Sequence, residues 1–151
     1  MGPGGPLSGC GTLREAGCLF LCEKSLGLAE DDSDYQLACC FKKFTTRKPE
    51  YEDLLLRFFE RKDSYTRRCS LGSLAHLGFP GLVDLVVKLW TSDDCEFAKL
   101  DCLYTLQETP GAGELFENYL AEFEANYDVA NSEHLPGHIE WLRSGGLPHN
   151  P

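Results

Sequence analysis

Eight cysteines and four histidines are the residues of this 151-residue chain best suited to chemistry, and their spacing decides which chemistry is open to them. The cysteines stand at 10, 18, 22, 39, 40, 69, 95 and 102. No Cys-x-x-Cys occurs, so neither a zinc knuckle nor a thioredoxin-type redox pair is signalled. Cys18 and Cys22 are spaced i, i+4, and Cys95 and Cys102 are seven apart, but nothing in the sequence joins the two pairs. His134 and His138 with Glu133 offer three ligand types. Pro136-Gly137 stands between those histidines and is expected to break their helical alignment. Cys69 and His76 are seven apart and could pair a thiol with a base. Cys69 falls among apolar positions, which favours packing over reactivity. Glu122 and Glu124 are paired carboxylates on a solvated acidic face, and no Gly-rich phosphate loop is present. The expectation is therefore no catalytic residue, no metal set and no cofactor, with the cysteines as thiols that mostly fill the core.

Charge is more informative than any motif. The formal charge is −10, from 24 acids against 14 lysines and arginines. It is unevenly spread. Residues 1–40 carry net −4, residues 41–70 net +4, residues 71–90 balance, and residues 91–140 carry net −11 with Lys99 as the one base. A generally basic nucleic-acid binder is excluded; the basic stretch 42–68 is the one place where phosphates could be met. The longest apolar run near the N-terminus, Cys18-Leu-Phe-Leu-Cys22, is too short for a signal core or a membrane span. A cytoplasmic or nuclear protein is expected, and free thiols follow from that compartment.

These residues must be positioned by helices, because the apolar period is 3.6 throughout and no alternating run is long enough for a sheet. The Gly- and Pro-rich residues 1–11 read as a flexible tail, 12–143 as one helical domain and 144–151 as a second tail. A helix over 12–24 would carry Leu13, Ala16, Leu19 and Phe20 on its inner face. Ser33 or Asp34, Ser64 and Ser92 suit helix caps. Pro49 suits a first turn, and Gly78, Pro110-Gly111 and Gly145-Gly146 suit helix ends. The inner faces that follow are Leu37, Cys40, Phe41 and Phe44; Leu54, Leu55, Phe58 and Phe59; and Leu71, Leu74 and Leu77. Leu82, Leu85, Val86 and Leu89, then Phe97, Leu100, Leu103 and Leu106, then Leu115, Phe116, Tyr119, Leu120 and Phe123 continue the pattern.

The punctuation repeats. Asp32, Asp63 and Asp94 are 31 residues apart, and Pro49, Pro80 and Pro110 are spaced 31 and 30. In that frame six columns are wholly apolar, among them Ala38/Cys69/Leu100, Cys40/Leu71/Cys102, Phe58/Leu89/Leu120 and Phe59/Trp90/Ala121. The middle unit has an Asp at its start (Asp63), an Arg four residues on (Arg67) and a leucine-rich first helix (Leu71, Leu74, Leu77). A Gly78 and Pro80 turn then leads into Leu82, Leu85 and Leu89. This unit resembles a short HEAT-type (armadillo-like) helical repeat, most closely over 63–94 and, less so, to 123. The resemblance implies about three antiparallel helix pairs stacked as a short α-solenoid, whose second helices line a concave surface that binds another macromolecule. One helix pair cannot bury its apolar face alone, so about three stacked units are needed.

The fold expected is all-α, a stack of helix pairs, with a compact globular helix bundle as the alternative. The function expected is a non-enzymatic scaffold, adaptor or regulatory protein whose concave, largely acidic surface meets a protein partner of basic character. Second-helix residues outside the apolar columns are the candidates for that contact: Arg57, Asp84, Lys88, Glu117 and Glu122. A regulatory bundle holding a partner helix in a groove, and a nucleic-acid binder using residues 42–68, are the alternatives.

Overall fold

A computed structural model describes the backbone of residues 5–30 and 32–145 and the side chains of residues 14–30 and 32–145. The protein is all-α, about 71% helix, with no strand among the described residues. It forms two compact units, Met1–Phe79 and Pro80–Pro151.

The first unit holds α1 (Gly5–Leu26), α2 (Asp34–Cys40), a single 3-10 turn over Phe41–Lys43, α3 (Pro49–Phe59) and α4 (Ser64–His76). Pro49 opens α3 in the first turn, where its missing N–H costs nothing. Asp63 caps α4, one residue before the expected Ser64, and its carboxylate accepts from the Thr66 N–H and hydroxyl at 2.9 Å. Gly78 ends α4 with φ +78°, a conformation that other L residues adopt only with strain. The core is Ala38 and Phe41 from α2 and its turn, Leu54, Leu55, Phe58 and Phe59 from α3, and Leu71 and Leu74 from α4. Buried Ser73 of α4 donates to the Ala38 carbonyl of α2 at 2.5 Å, tying these two helices together.

The expected inner face of α1 is corrected. Ala16 and Phe20 are exposed, Leu19 is half-buried and the side chain of Leu13 lies outside the described residues, while Glu15, Cys18, Cys22 and Ser25 turn inward. The reason is polar. Glu15 accepts from Lys48 at 2.8 Å and from the Tyr51 hydroxyl, and Ser25 donates to Asp34 at 2.6 Å. Helix α1 begins at Gly5, inside the segment expected as a tail, and residues 1–4 lie outside the described residues. Asp34 is wholly buried, with Arg61 Nε at 3.2 Å from its second oxygen.

The second unit holds α5 (Leu82–Ser92), α6 (Glu96–Gln107), α7 (Gly113–Asn126) and α8 (Leu135–Arg143). Val86, Leu89, Leu100, Leu103, Leu106, Phe116, Leu120 and Phe123 are buried as expected, whereas Leu82, Leu85, Leu115 and Tyr119 are half-buried. Phe97 is instead exposed and stacks on the His134 ring, with Ala98 taking the inward position. Ser92 does not cap α6: it ends α5 and donates to the Lys88 carbonyl, and Asp93 accepts from the Cys95 N–H. Gly111 and Gly145, at φ +84° and +88°, turn the chain after α6 and α8. Of the expected second tail, residues 146–151 lie outside the described residues.

Helix starts fall at 34, 64 and 96 for first helices and at 49, 82 and 113 for second helices. The spacing is therefore 30–33 residues rather than a fixed 31. That drift accounts for the columns: Ala38/Cys69/Leu100 and Phe58/Leu89/Leu120 are buried throughout, whereas Ala121 is exposed and Cys40 half-buried.

Candidate functional site

Two clefts in the second unit flank α7, and each has one of the expected contact residues in its wall. The first, about 330 Å³, lies between α6, α7 and α8, with Gln107, Phe116, Glu117 and Leu142 among its lining. Its walls are fixed by Gln107 Nε2, which donates to the Leu142 carbonyl at 2.8 Å, and by an ion pair between Arg143 and Glu124. The second, about 380 Å³, is lined by Trp90, Asp94, Lys99, Glu122 and Tyr127. Here Trp90 Nε1 donates to Glu122 at 2.9 Å, and the Trp90 ring stacks on Tyr119 with centroids 4.2 Å apart. Lys99 Nζ donates to the Trp90 carbonyl at 2.6 Å and lies 4.6 Å from its ring centroid. Tyr127 closes the end by donating to the Asp94 carbonyl at 3.1 Å. Burial pushes the Tyr119 and Tyr127 hydroxyls above their ordinary range, so both remain neutral donors at physiological pH.

The five candidate residues are not brought together. Glu117 and Glu122 share α7 and are exposed. Asp84 and Lys88 are exposed one turn apart on α5 and line neither cleft. Arg57 belongs to the first unit, where it pairs with Glu23 at 2.8 Å and Asp53 at 3.9 Å.

The charge pattern resolves sharply along the unit boundary. Residues 1–79 hold eleven acids and eleven bases, whereas residues 80–151 hold thirteen acids and three bases, so the whole net charge of −10 belongs to the second unit. Most of the basic stretch 42–68 is internally engaged. Arg47 pairs with Glu52, Lys48 with Glu15, Arg57 with Glu23 and Arg61 with Asp34. Arg67 donates to the Phe59 carbonyl at 3.1 Å, and Arg68 lies over the Tyr65 ring.

Comparison with family models, curated proteins and solved structures finds no match to this chain.

The residues with chemical potential fall differently from the sequence expectation. His134 and His138 are aligned after all, because α8 begins at Leu135 and takes Pro136 into its first turn. His134 sits 2.5 Å from Glu96, and His138 Nδ1 meets the Tyr104 hydroxyl at 2.6 Å, so both rings tie α8 to α6. Cys69 and His76 do not form a nucleophile and base. His76 meets the Phe44 carbonyl at 2.9 Å, and the Cys69 thiol is pushed up to about 12 by burial and by its hydrogen bond with Cys39.

The cysteines depart most from their expected role. Cys18 and Cys40 are bridged, and the sulfurs of Cys18, Cys22 and Cys40 all lie within 4.8 Å of one another. Cys40 is thus part of a sulfur cluster rather than an apolar column. The i, i+4 spacing of Cys18 and Cys22 was half of the signal; its complement was the adjacent Cys39-Cys40 pair, which the fold of α2 against α1 divides between two partners.

Proposed function

We propose that this chain is a non-enzymatic protein-interaction scaffold or adaptor, built from HEAT-like helix pairs, that uses α7 and its flanking clefts to hold a basic segment of a protein partner. The observation that carries this reading is the confinement of the entire net charge to residues 80–151, where Glu117 and Glu122 stand exposed in the walls of two clefts. Each cleft sets apolar side chains (Phe116 and Leu142; Trp90 and Phe123) beside a carboxylate, which suits the stem and head of a lysine or arginine, while the bases in their walls, Arg143 and Lys99, are engaged by Glu124 and the Trp90 carbonyl. The repeated pairing is supported by hydrogen bonds between residues 32 to 35 apart, which join alternate helices: Ser73 to Ala38, Trp90 to Glu122 and Gln107 to Leu142. A nucleic-acid role is disfavoured because the arginines of 42–68 are engaged within the first unit. No helix among the described residues is long and apolar enough to cross a membrane.

The test is fluorescence anisotropy with the full chain and a dye-labelled Lys/Arg-rich peptide. Saturable binding is expected, weakened about tenfold or more by the double reversal E117K/E122K, since opposed rim charges become like charges. Binding that is unchanged by the reversal overturns the assignment of α7.

A further inference from the structure

The sulfur cluster of the first unit lies between α1 and α2, outside the acidic clefts. Cys18 and Cys22 lie one turn apart on the inner face of α1, and Cys40 is the last residue of α2. Cys22 is wholly buried, and the other two are half-buried. The Cα atoms of Cys18 and Cys40 are 7.2 Å apart, beyond the range of about 4.4–6.8 Å usual for bridged cysteines. A metal ion between two thiolates spans such a separation readily. Metal–sulfur bonds of about 2.3 Å place ligand sulfurs roughly 4 Å apart, a separation open to the Cys18 and Cys40 sulfurs once their bridge is reduced, with the Cys22 sulfur within 4.8 Å of both.

We propose that Cys18, Cys22 and Cys40, once reduced, form a three-thiolate site for a soft monovalent cation, Cu(I). The donor set selects the ion. Thiolates favour Cu(I) and Zn(II), but structural zinc almost always takes four protein ligands. Among the described residues the cluster contains three. Cys39, next in sequence, is engaged by Cys69 instead, and the Asp34 carboxylate is taken by Ser25 and Arg61. Bound copper would pin α1 to α2, coupling the ion to the stability of this unit. In the bridged form the site is closed. A dithiol reductant delivers two electrons and two protons, breaks the sulfur–sulfur bond, leaves two thiols and itself becomes a disulfide. Cu(I) then forms three bonds to sulfur and displaces three protons to solvent.

The full chain is reduced with dithiothreitol, desalted without oxygen and titrated with Cu(I) against a competing chelator. One equivalent is expected, with three sulfurs at about 2.3 Å by X-ray absorption on the wild-type protein. Copper should protect Cys18 and Cys40 from alkylation while Cys95 reacts as before. C18S, C22S and C40S should each lose about 10- to 100-fold in affinity or more, since losing even a supporting partner of a ligand costs that much. C95S should lose nothing. The proposal is overturned by a two-sulfur site, by unprotected Cys18 and Cys40, or by a bridge that survives the dithiol with no copper bound. Tight four-coordinate Zn(II) binding in place of Cu(I) overturns it equally.

Discussion

Replacing Asp34 removes the charge on which the joint between α1, α2 and the end of α3 depends. Its carboxylate is 0% exposed, accepts from Ser25 Oγ at 2.6 Å and stands 3.2 Å from Arg61 Nε, on a side chain only 15% exposed. Breaking a buried pair from one side costs about 3–5 kcal/mol, because the remaining charge stays buried. In Asp34→Ala that remaining charge is Arg61, which keeps the Ser25 and Leu28 carbonyls at 2.9 and 3.3 Å. Those acceptors place the loss near the lower bound, about 3 kcal/mol. Arg61→Met instead removes the cation beside a wholly buried carboxylate, so its loss should fall in the same range of about 3–5 kcal/mol. The double variant D34L/R61M removes both charges and should be more stable than either single variant. Urea unfolding followed by far-UV circular dichroism measures all three. With a slope of about 1–3 kcal/mol per molar, Asp34→Ala should move the midpoint by about 1–3 M. Single losses under about 1 kcal/mol, or losses that simply add in the double variant, would refute the buried-pair account.

Three further outcomes follow from individual contacts. Glu15 is held below the usual carboxylate range by its hydrogen bonds from Lys48 and Tyr51, so it stabilises the fold above an unfolded value of about 4.3 and loses that contribution as pH falls through its lowered folded value. Thermal melts of Glu15→Gln should therefore match wild type near pH 2 and fall below it at pH 7. Gly78→Ala should cost about 1–2 kcal/mol at φ +78°, whereas Gly113→Ala, with ordinary φ and open space around its Cβ, should be neutral or stabilising in the same denaturant series. Burial pushes the Cys22 and Cys69 thiols up to about 12, so at pH 8 mass spectrometry should find Cys95 alkylated well before either; equal rates would contradict their burial.

The sequence carried the fold where local chemistry and packing agree. Pro49 opens α3, Gly78 closes α4, and the inner faces of α3, α4 and α7 follow the 3.6 period. It misled where the inward side is not apolar. Helix α1 turns Glu15, Cys18, Cys22 and Ser25 to the protein and leaves Phe20 62% exposed, with Lys24 over its ring. Apolar spacing cannot find a face held by a carboxylate, thiols and a hydroxyl. Phe97 misled in the same way, since an exposed aromatic ring stacked on His134 reads as core in a one-dimensional pattern. Among the candidate contact residues, Glu117 and Glu122 were legible as acids on a second helix. The clefts beside them were not, because their walls come from α5, α6 and α8, distant in sequence. Arg57 looked similar by position, and only the tertiary approach of Glu23 from α1 shows it engaged.

The most direct test of an acidic docking face on α7 is an NMR titration of the full chain with the basic peptide, read at the two tryptophan indole N–H signals. Trp90 Nε1 donates to Glu122, so a cation that engages that carboxylate must move the Trp90 indole signal. The account predicts a saturable Trp90 shift, accompanied by backbone shifts over residues 113–126 and lost in E117K/E122K. A stationary Trp90 indole, with shifts confined to residues 5–79, would contradict it.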